Sequence, residues 1–289
     1  MGNLIKGKPV ADAITEEVKN EAEILRKKNI APKLKIVRVG EREDDIAYER
    51  AAIKRMEACN IDCEVLKLPA DINQNDFIEQ LKKVNNDDKV HGILLFRPLP
   101  KQLNEMDIKY IISPEKDIDC FNPVNVAKVT EGDDSGFPPC TPSAAMEILK
   151  YYNIQLKGSE AVVLGRSMVV GKPMANLLLK ENATVTICHS KTNNLPEVTK
   201  RADILIAAIG KSNMITADYV KEGATVIDVG INVNEEGKLT GDVNTEDCLQ
   251  KVGLITPVPA GVGSVTTAVL AKHVVKACKL NNRGAIWDI

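Results

Sequence analysis

Aromatic residues are scarce in this chain of 289 residues: Phe, Trp and Tyr together make up 3%. The core must therefore be built mainly from Ile, Leu, Val and Ala. None of the seven cysteines falls in a C-x-x-C pair, and Cys59, Cys63, Cys120, Cys140, Cys188, Cys248 and Cys278 are scattered and odd in number. That excludes a disulfide framework and suits a reducing compartment. The three histidines, His91, His189 and His273, lie far apart without zinc spacing, so no metal is expected. No apolar run approaches the ~18 residues of a membrane span, and residues 1–6 lack the apolar core of a signal peptide. A formal charge of −2 with no long basic run gives no reason to expect nucleic acid or an anionic membrane as partner. The expectation is a cytoplasmic protein.

What is present is alternation. Apolar runs at 35–39, 62–66 and 92–96 read as strands, and 11–28, 46–59 and 75–84 have the spacing of amphipathic helices. A second series begins near Thr141, read as an N-cap with Pro142 at the first helical position. Strands at 160–164, 184–188, 204–207 and 225–229 follow, separated by helical segments. This order implies βαβ units and a parallel sheet, an α/β protein of two α/β domains. The loop 131–139, rich in Gly, Asp and Pro, is the boundary candidate. The reading is a first domain over 1–140 and a second over 141–265. A last helix within 266–289 is expected to pack back on the first domain.

The most informative local feature is Gly165-Arg166-Ser167-Met168-Val169-Val170-Gly171-Lys172-Pro173, after an apolar strand. Gly165 lets the backbone turn sharply and approach a phosphate; the helix starting near Gly171 offers free N–H groups and a positive dipole end. The next strand ends Cys188-His189-Ser190-Lys191-Thr192, without the acidic residue that holds the ribose 2′-hydroxyl of NAD. Hydroxyls at Ser190 and Thr192 and the cation of Arg166 instead suit a 2′-phosphate, which favours NADP. Gly210 and Gly230, with Ile231, lie at the carboxyl edge of the sheet, where ligands bind in such folds. The plainer reading of each glycine is a strand end, and of 188–192 a polar loop.

These motifs, together with Lys116-Asp117-Ile118-Asp119, Pro139-Cys140-Thr141-Pro142, Asp228-Val229-Gly230-Ile231-Asn232, Gly241-Asp242-Val243 and Thr256-Pro257-Val258-Pro259, resemble in order the bifunctional methylenetetrahydrofolate dehydrogenase/methenyltetrahydrofolate cyclohydrolase family. The resemblance spans essentially the whole chain. It implies a folate-binding catalytic domain, a Rossmann-type NADP domain, a cleft between them and a homodimer. It also implies a substrate site of Tyr48, Arg97, Pro98, Leu99, Asp119, Pro257, Pro259 and Gly261, with Tyr48 and Asp119 in catalytic positions.

The sequence departs from the family at the hydrolytic site. The family's tyrosine is followed four residues later by lysine; here Tyr48 is followed by Ala52. The family glutamine before Leu-Pro-Leu-Pro is Phe96, and Pro-Gly-Gly-Val-Gly becomes Pro259-Ala260-Gly261-Val262-Gly263. Lys54 points away from position 52 on the helix, Arg55 falls two turns along from Tyr48, and Arg97 is no proton shuttle near neutral pH. The expected activity is NADP-dependent oxidation of methylenetetrahydrofolate with weak or absent cyclohydrolase, which A52K/F96Q should restore. Three alternatives stay open. They are a bifunctional enzyme with a compensated site, a dehydrogenase of another pterin or small molecule, and a non-catalytic paralogue that binds folate or NADP.

Overall fold

The computed structural model describes residues 2–234 and 236–282. Strands are β1 (Asn3–Leu4), β2 (Lys33–Val39), β3 (Asp62–Leu68), β4 (Gly92–Leu95), β5 (Glu160–Leu164) and β6 (Thr184–Cys188). They continue with β7 (Ile204–Ala207), β8 (Thr225–Asp228), β9 (Asn232–Val233), β10 (Leu239–Thr240) and β11 (Leu254–Ile255). Helices are α1 (Gly7–Lys27), α2 (Glu43–Ala58), α3 (Gln74–Asn85), α4 (Glu105–Ile108) and α5 (Pro123–Glu131). After them come α6 (Cys140–Tyr151), α7 (Gly171–Lys180), α8 (Leu195–Thr199), α9 (Thr245–Cys248) and α10 (Thr266–Asn281).

The chain forms two compact units. One holds Asp12–Pro138 and the C-terminal segment from Thr267; the other holds Pro139–Thr266 and the segment up to Ala11. Neither unit is contiguous in sequence: the segment from Thr267 is grouped with the earlier unit, and β1 pairs in parallel with β11, so the first residues belong to the later sheet. Residues 283–289 of the expected last helix lie outside the described residues.

The first unit carries a three-stranded parallel sheet in the order β3-β2-β4. Its apolar strand faces and the buried stripe Phe77, Leu81 and Val84 of α3 share one core. The Asn73 side chain starts α3 by accepting from the Asp76 amide at 3.0 Å. The second unit carries a six-stranded sheet in the order β1-β11-β8-β7-β5-β6, parallel throughout, and a separate antiparallel hairpin of β9 and β10. Buried Val162, Leu164, Leu205, Ala207 and Val226 lie in its core, and their near-continuous apolar runs are what a sheet covered on both faces demands. In each sheet one strand lies between its next two strands in sequence: β2 between β3 and β4 in the middle of three, and β5 between β6 and β7, next to the β6 edge. That arrangement makes a switch point at the carboxyl ends of the strands, where such sheets bind ligands.

Helix α6 begins earlier than the sequence suggested. Pro139, in extended conformation, is its N-cap, and the Pro139 carbonyl accepts from the Ser143 amide and hydroxyl at 3.2 and 3.0 Å. Thr141 is thus inside the first turn. Pro142 is accommodated there because first-turn amides need no intrahelical acceptor.

Candidate active site

At the switch point of the six-stranded sheet, β5 runs into Gly165, whose φ is +125°. A Cβ there would strike the Ala208 carbonyl beyond β7, and a Cβ on Gly171 would strike the Gly165 carbonyl. Both glycines are therefore required for the turn to close and for α7 to begin. The Ser167 hydroxyl accepts from the Val170 amide at 3.1 Å, which fixes the loop and leaves its own proton to donate outward. Arg166 and Ser190 are exposed, and Lys191 stands beside Ser190. Thr192 instead turns inward to its own loop, its hydroxyl accepting from the His189 amide at 2.9 Å.

Two carboxylates that sequence reading assigned no role build the rest of this rim. Asp242 accepts from the amides of Ile209, Gly210 and Lys211 at 2.6, 3.1 and 2.8 Å and from the Asn232 side chain at 3.0 Å. Asp228 accepts from the amides of Gly230, Asp242 and Val243 at 2.9, 3.0 and 2.9 Å. Burial pushes the Asp228 carboxyl up to about 6 against these donors. Gly230 owes its lack of a side chain to this network, since a Cβ there would strike the Asp242 carboxyl group. Gly210, at φ +66°, does face open space. Gly230 and Ile231 join Pro257, Pro259, Gly261 and Leu239 around a pocket of about 270 Å³. Ala260 in that loop is held at φ +81°, a conformation that favours glycine.

In the three-stranded unit, α2 presents Asp45, Glu49, Ala52 and Met56 at intervals of four, three and four, one continuous face. Glu49, Ala52 and Met56 are buried. Ala52 is 0% exposed, and Phe96, 8% exposed, packs its ring 5.8 Å from that of half-buried Tyr48. Positions 52 and 96, where the resemblance implies lysine and glutamine, are thus apolar and buried. Lys54 is exposed, and Arg55 donates to the hydroxyls of Thr15 and Thr267. Arg38, which the sequence showed only as a strand residue, pairs with Glu49 at 2.7 Å, and both are buried. Burial raises the Asp45 carboxyl above its ordinary value, against the pull of Arg42.

Asp119 follows a short parallel bridge between Ile93 and Asp117. Its loop is pinned from beneath. The Asp117 carboxylate accepts from the amides of Phe121 and Asn122 and from the Asn125 side chain at 2.8–2.9 Å. His273 of α10 donates from Nδ1 to the Ile118 carbonyl at 2.9 Å, and burial lowers its imidazole to about 4. It is therefore a neutral donor near pH 7. Arg97 lies near Asp119 at 3.9 Å and over the Phe121 ring at 4.8 Å. Pro98 is exposed, while Leu99 packs partly into the core. The structure thus gathers Tyr48, Phe96, Arg97 and Asp119 in one unit, and Pro257, Pro259 and Gly261 beside Gly230 and Ile231 in the other. Among the described residues, no group of three or more His, Cys, Asp or Glu side chains is arranged to hold a metal, and no helix is long and apolar enough to cross a membrane.

Comparison with known proteins finds two family matches along the chain. Residues 5–119 match the tetrahydrofolate dehydrogenase/cyclohydrolase catalytic domain, and residues 139–282 match the NAD(P)-binding domain of that family. The chain is 65% identical to a Clostridioides difficile protein named bifunctional protein FolD, covering 97% of this chain and 98% of that one. A crystal structure of the bifunctional FolD methylenetetrahydrofolate dehydrogenase/cyclohydrolase from Campylobacter jejuni superposes with a TM-score of 0.94 at 42% identity, covering 97% and 99% of the chains. The Trypanosoma brucei enzyme complexed with NADP and an inhibitor gives a TM-score of 0.92 at 34% identity, covering 98% and 99%. The chain belongs to the tetrahydrofolate dehydrogenase/cyclohydrolase family.

Proposed function

We propose that this protein is a cytoplasmic, homodimeric, NADP-dependent 5,10-methylenetetrahydrofolate dehydrogenase that forms 5,10-methenyltetrahydrofolate and hydrolyses it slowly. The observation that carries the second half is that positions 52 and 96 are both apolar and buried, with Phe96 packed against Tyr48. Support for the dimer is the exposed apolar surface of Val233 and Leu239 on the β9–β10 hairpin.

The chain's residues fit the cofactor. The tight turn that Gly165 and Gly171 permit sets the first amides of α7 at the carboxyl end of β5, where they can hold a pyrophosphate, with the Ser167 hydroxyl free to donate. Arg166, Ser190 and Lys191 offer charge and donors for a 2′-phosphate, and no carboxylate lies between 188 and 192 to oppose it. When bound, NADP supplies the nicotinamide ring that accepts the hydride. Asp119 holds the pterin by accepting from its N–H groups, and Tyr48 orients the ring. The Tyr48–Phe96 contact keeps water from the methylene carbon, whose hydride departs with help from a folate nitrogen lone pair. Hydrolysis of the methenyl product needs a group of tuned pKa to activate water, and neither alanine nor phenylalanine supplies one.

The test follows NADPH and the methenyl product separately in purified protein with methylenetetrahydrofolate and NADP. The expected result is NADPH with accumulating methenyl compound, and faster hydrolysis in A52K/F96Q. Rapid conversion to the formyl product would overturn the hydrolytic part and favour full bifunctionality, the reading that the name of the C. difficile relative supports. Absence of NADPH, and of NADH with NAD, would overturn the dehydrogenase.

A further inference from the structure

Arg97 is a covered cation with little to hold. Only 23% of its side chain is exposed, yet its guanidinium donates no hydrogen bond to another described residue. The nearest carboxylate oxygen, Oδ2 of Asp119, stands 3.9 Å from Nη2, at the outer limit of an ion pair. The Phe121 ring lies 4.8 Å from Cζ and fixes where the planar group sits. A guanidinium carries five N–H donors in one plane, and covering it without acceptors costs free energy that a bound acceptor returns. Arg97 and Asp119 also leave neighbouring parallel segments at the same end of the sheet, just past β4 and the bridge at Asp117.

One edge of a 2-amino-4-oxopterin presents, in order, the donors of the 2-amino group and N3–H and the acceptor O4. The pair beside it presents the complement: two acceptor oxygens on Asp119, then donors on Arg97. A gap of 3.9 Å between carboxylate oxygen and guanidinium nitrogen suits two hydrogen bonds running side by side to adjacent ring positions. We propose that Arg97 is a specificity-determining residue that donates to the pterin O4 while Asp119 accepts from N3–H and the 2-amino group, so that the site selects 4-oxo over 4-amino pterins. The inference rests on the placement of the pterin at Asp119 proposed above. In a 4-amino analogue, O4 becomes an N–H donor that meets Arg97 donor to donor, and N3 loses its hydrogen, so Asp119 also loses one of its donors; the share of the preference owed to Arg97 is the share that its replacement removes.

The experiment is calorimetric titration of the full chain, without nicotinamide cofactor, with tetrahydrofolate and with 4-amino-4-deoxytetrahydrofolate. Neither ligand carries the reactive methylene carbon. The wild type should bind the 4-oxo ligand about 10- to 100-fold more tightly, the range for a hydrogen bond to a charged donor. R97L, which keeps apolar packing on Phe121, should shrink the ratio about tenfold by weakening only the 4-oxo ligand, what remains being owed to N3 at Asp119; R97K should keep more of the preference than R97L. Equal affinities in the wild type would overturn the proposal. So would an R97L variant that weakens both ligands alike, because that is the signature of an arginine that merely props Asp119. D119N separates the two levels. If it weakens both ligands while the wild type shows no preference, only the role of Arg97 falls. If it leaves tetrahydrofolate binding unchanged, the placement of the pterin at Asp119 falls with it.

Discussion

Removing one member of the Arg38–Glu49 pair should cost far more than removing both. The two side chains are 4% and 8% exposed and meet at 2.7 Å, and Arg38 donates a second hydrogen bond to the Gly40 carbonyl at the end of β2. In R38L the Glu49 carboxylate is left buried and unpaired, which costs about 3–5 kcal/mol. In E49L the guanidinium keeps its bond to Gly40, so the loss should fall near about 3 kcal/mol. In R38L/E49L no charge is stranded and the apolar side chain at 38 joins the face of β2 that carries buried Leu34 and Ile36. That variant should lie within about 2 kcal/mol of the wild type. The cycle therefore predicts a coupling of about 4 kcal/mol or more, against the few tenths found for independent sites. Urea denaturation at pH 7 followed by circular dichroism measures all four proteins. Single-variant losses that simply add in the double variant would refute the reasoning, because they would mean that neither charge depends on the other.

Three further outcomes follow from particular geometry. A260G should stabilise the protein by about 1 kcal/mol, because relief of a Cβ at φ +81° exceeds the entropy that glycine adds to the unfolded chain; a lower urea midpoint would contradict this. G171A should weaken NADP binding at least about tenfold by forcing the loop off the Gly165 carbonyl, while tetrahydrofolate binding is preserved; calorimetry with each ligand decides it. Because His273 titrates near 4 when folded and near 6.5 when unfolded, the unfolded chain binds more protons between those values. Stability supplied by the neutral imidazole is thus fully present above pH 6.5 and declines as pH falls toward 4, by about 3 kcal/mol. H273N keeps a donor for the Ile118 carbonyl without the titration, so its urea midpoint should fall less between pH 7 and pH 4.5 than that of the wild type.

The inner strands β5 and β7 of the larger sheet were legible because they are short runs of mostly β-branched and apolar residues that begin and end where the composition changes. The Gly165 turn was legible too, since a strand that stops on glycine before a helix has few other readings. Three other features left no local trace. Arg38 sits between Val37 and Val39 like any strand residue, and its partner is eleven residues on, in another element. The need for glycine at 230 comes from Asp242, whose carboxyl group the fold brings against it. The two residues of β1 carry no periodicity; only β11, some 250 positions later, makes them a strand. A usable signal did exist for Asp228, a carboxylate closing the apolar run Thr225-Val226-Ile227, which is an unusual place to bury a charge unless donors wait there.

That late pairing sets an order of events during synthesis. The β1 residues emerge from the ribosome some 250 positions before their partner, and α10 emerges later still although it is grouped with the unit whose sheet is made first. Each unit is therefore complete only once its late segment, β11 or α10, has been made. For the same reason neither unit is a cassette: a gene fragment covering residues 139–282 encodes a sheet that lacks its edge strand and a helix that lacks its neighbours.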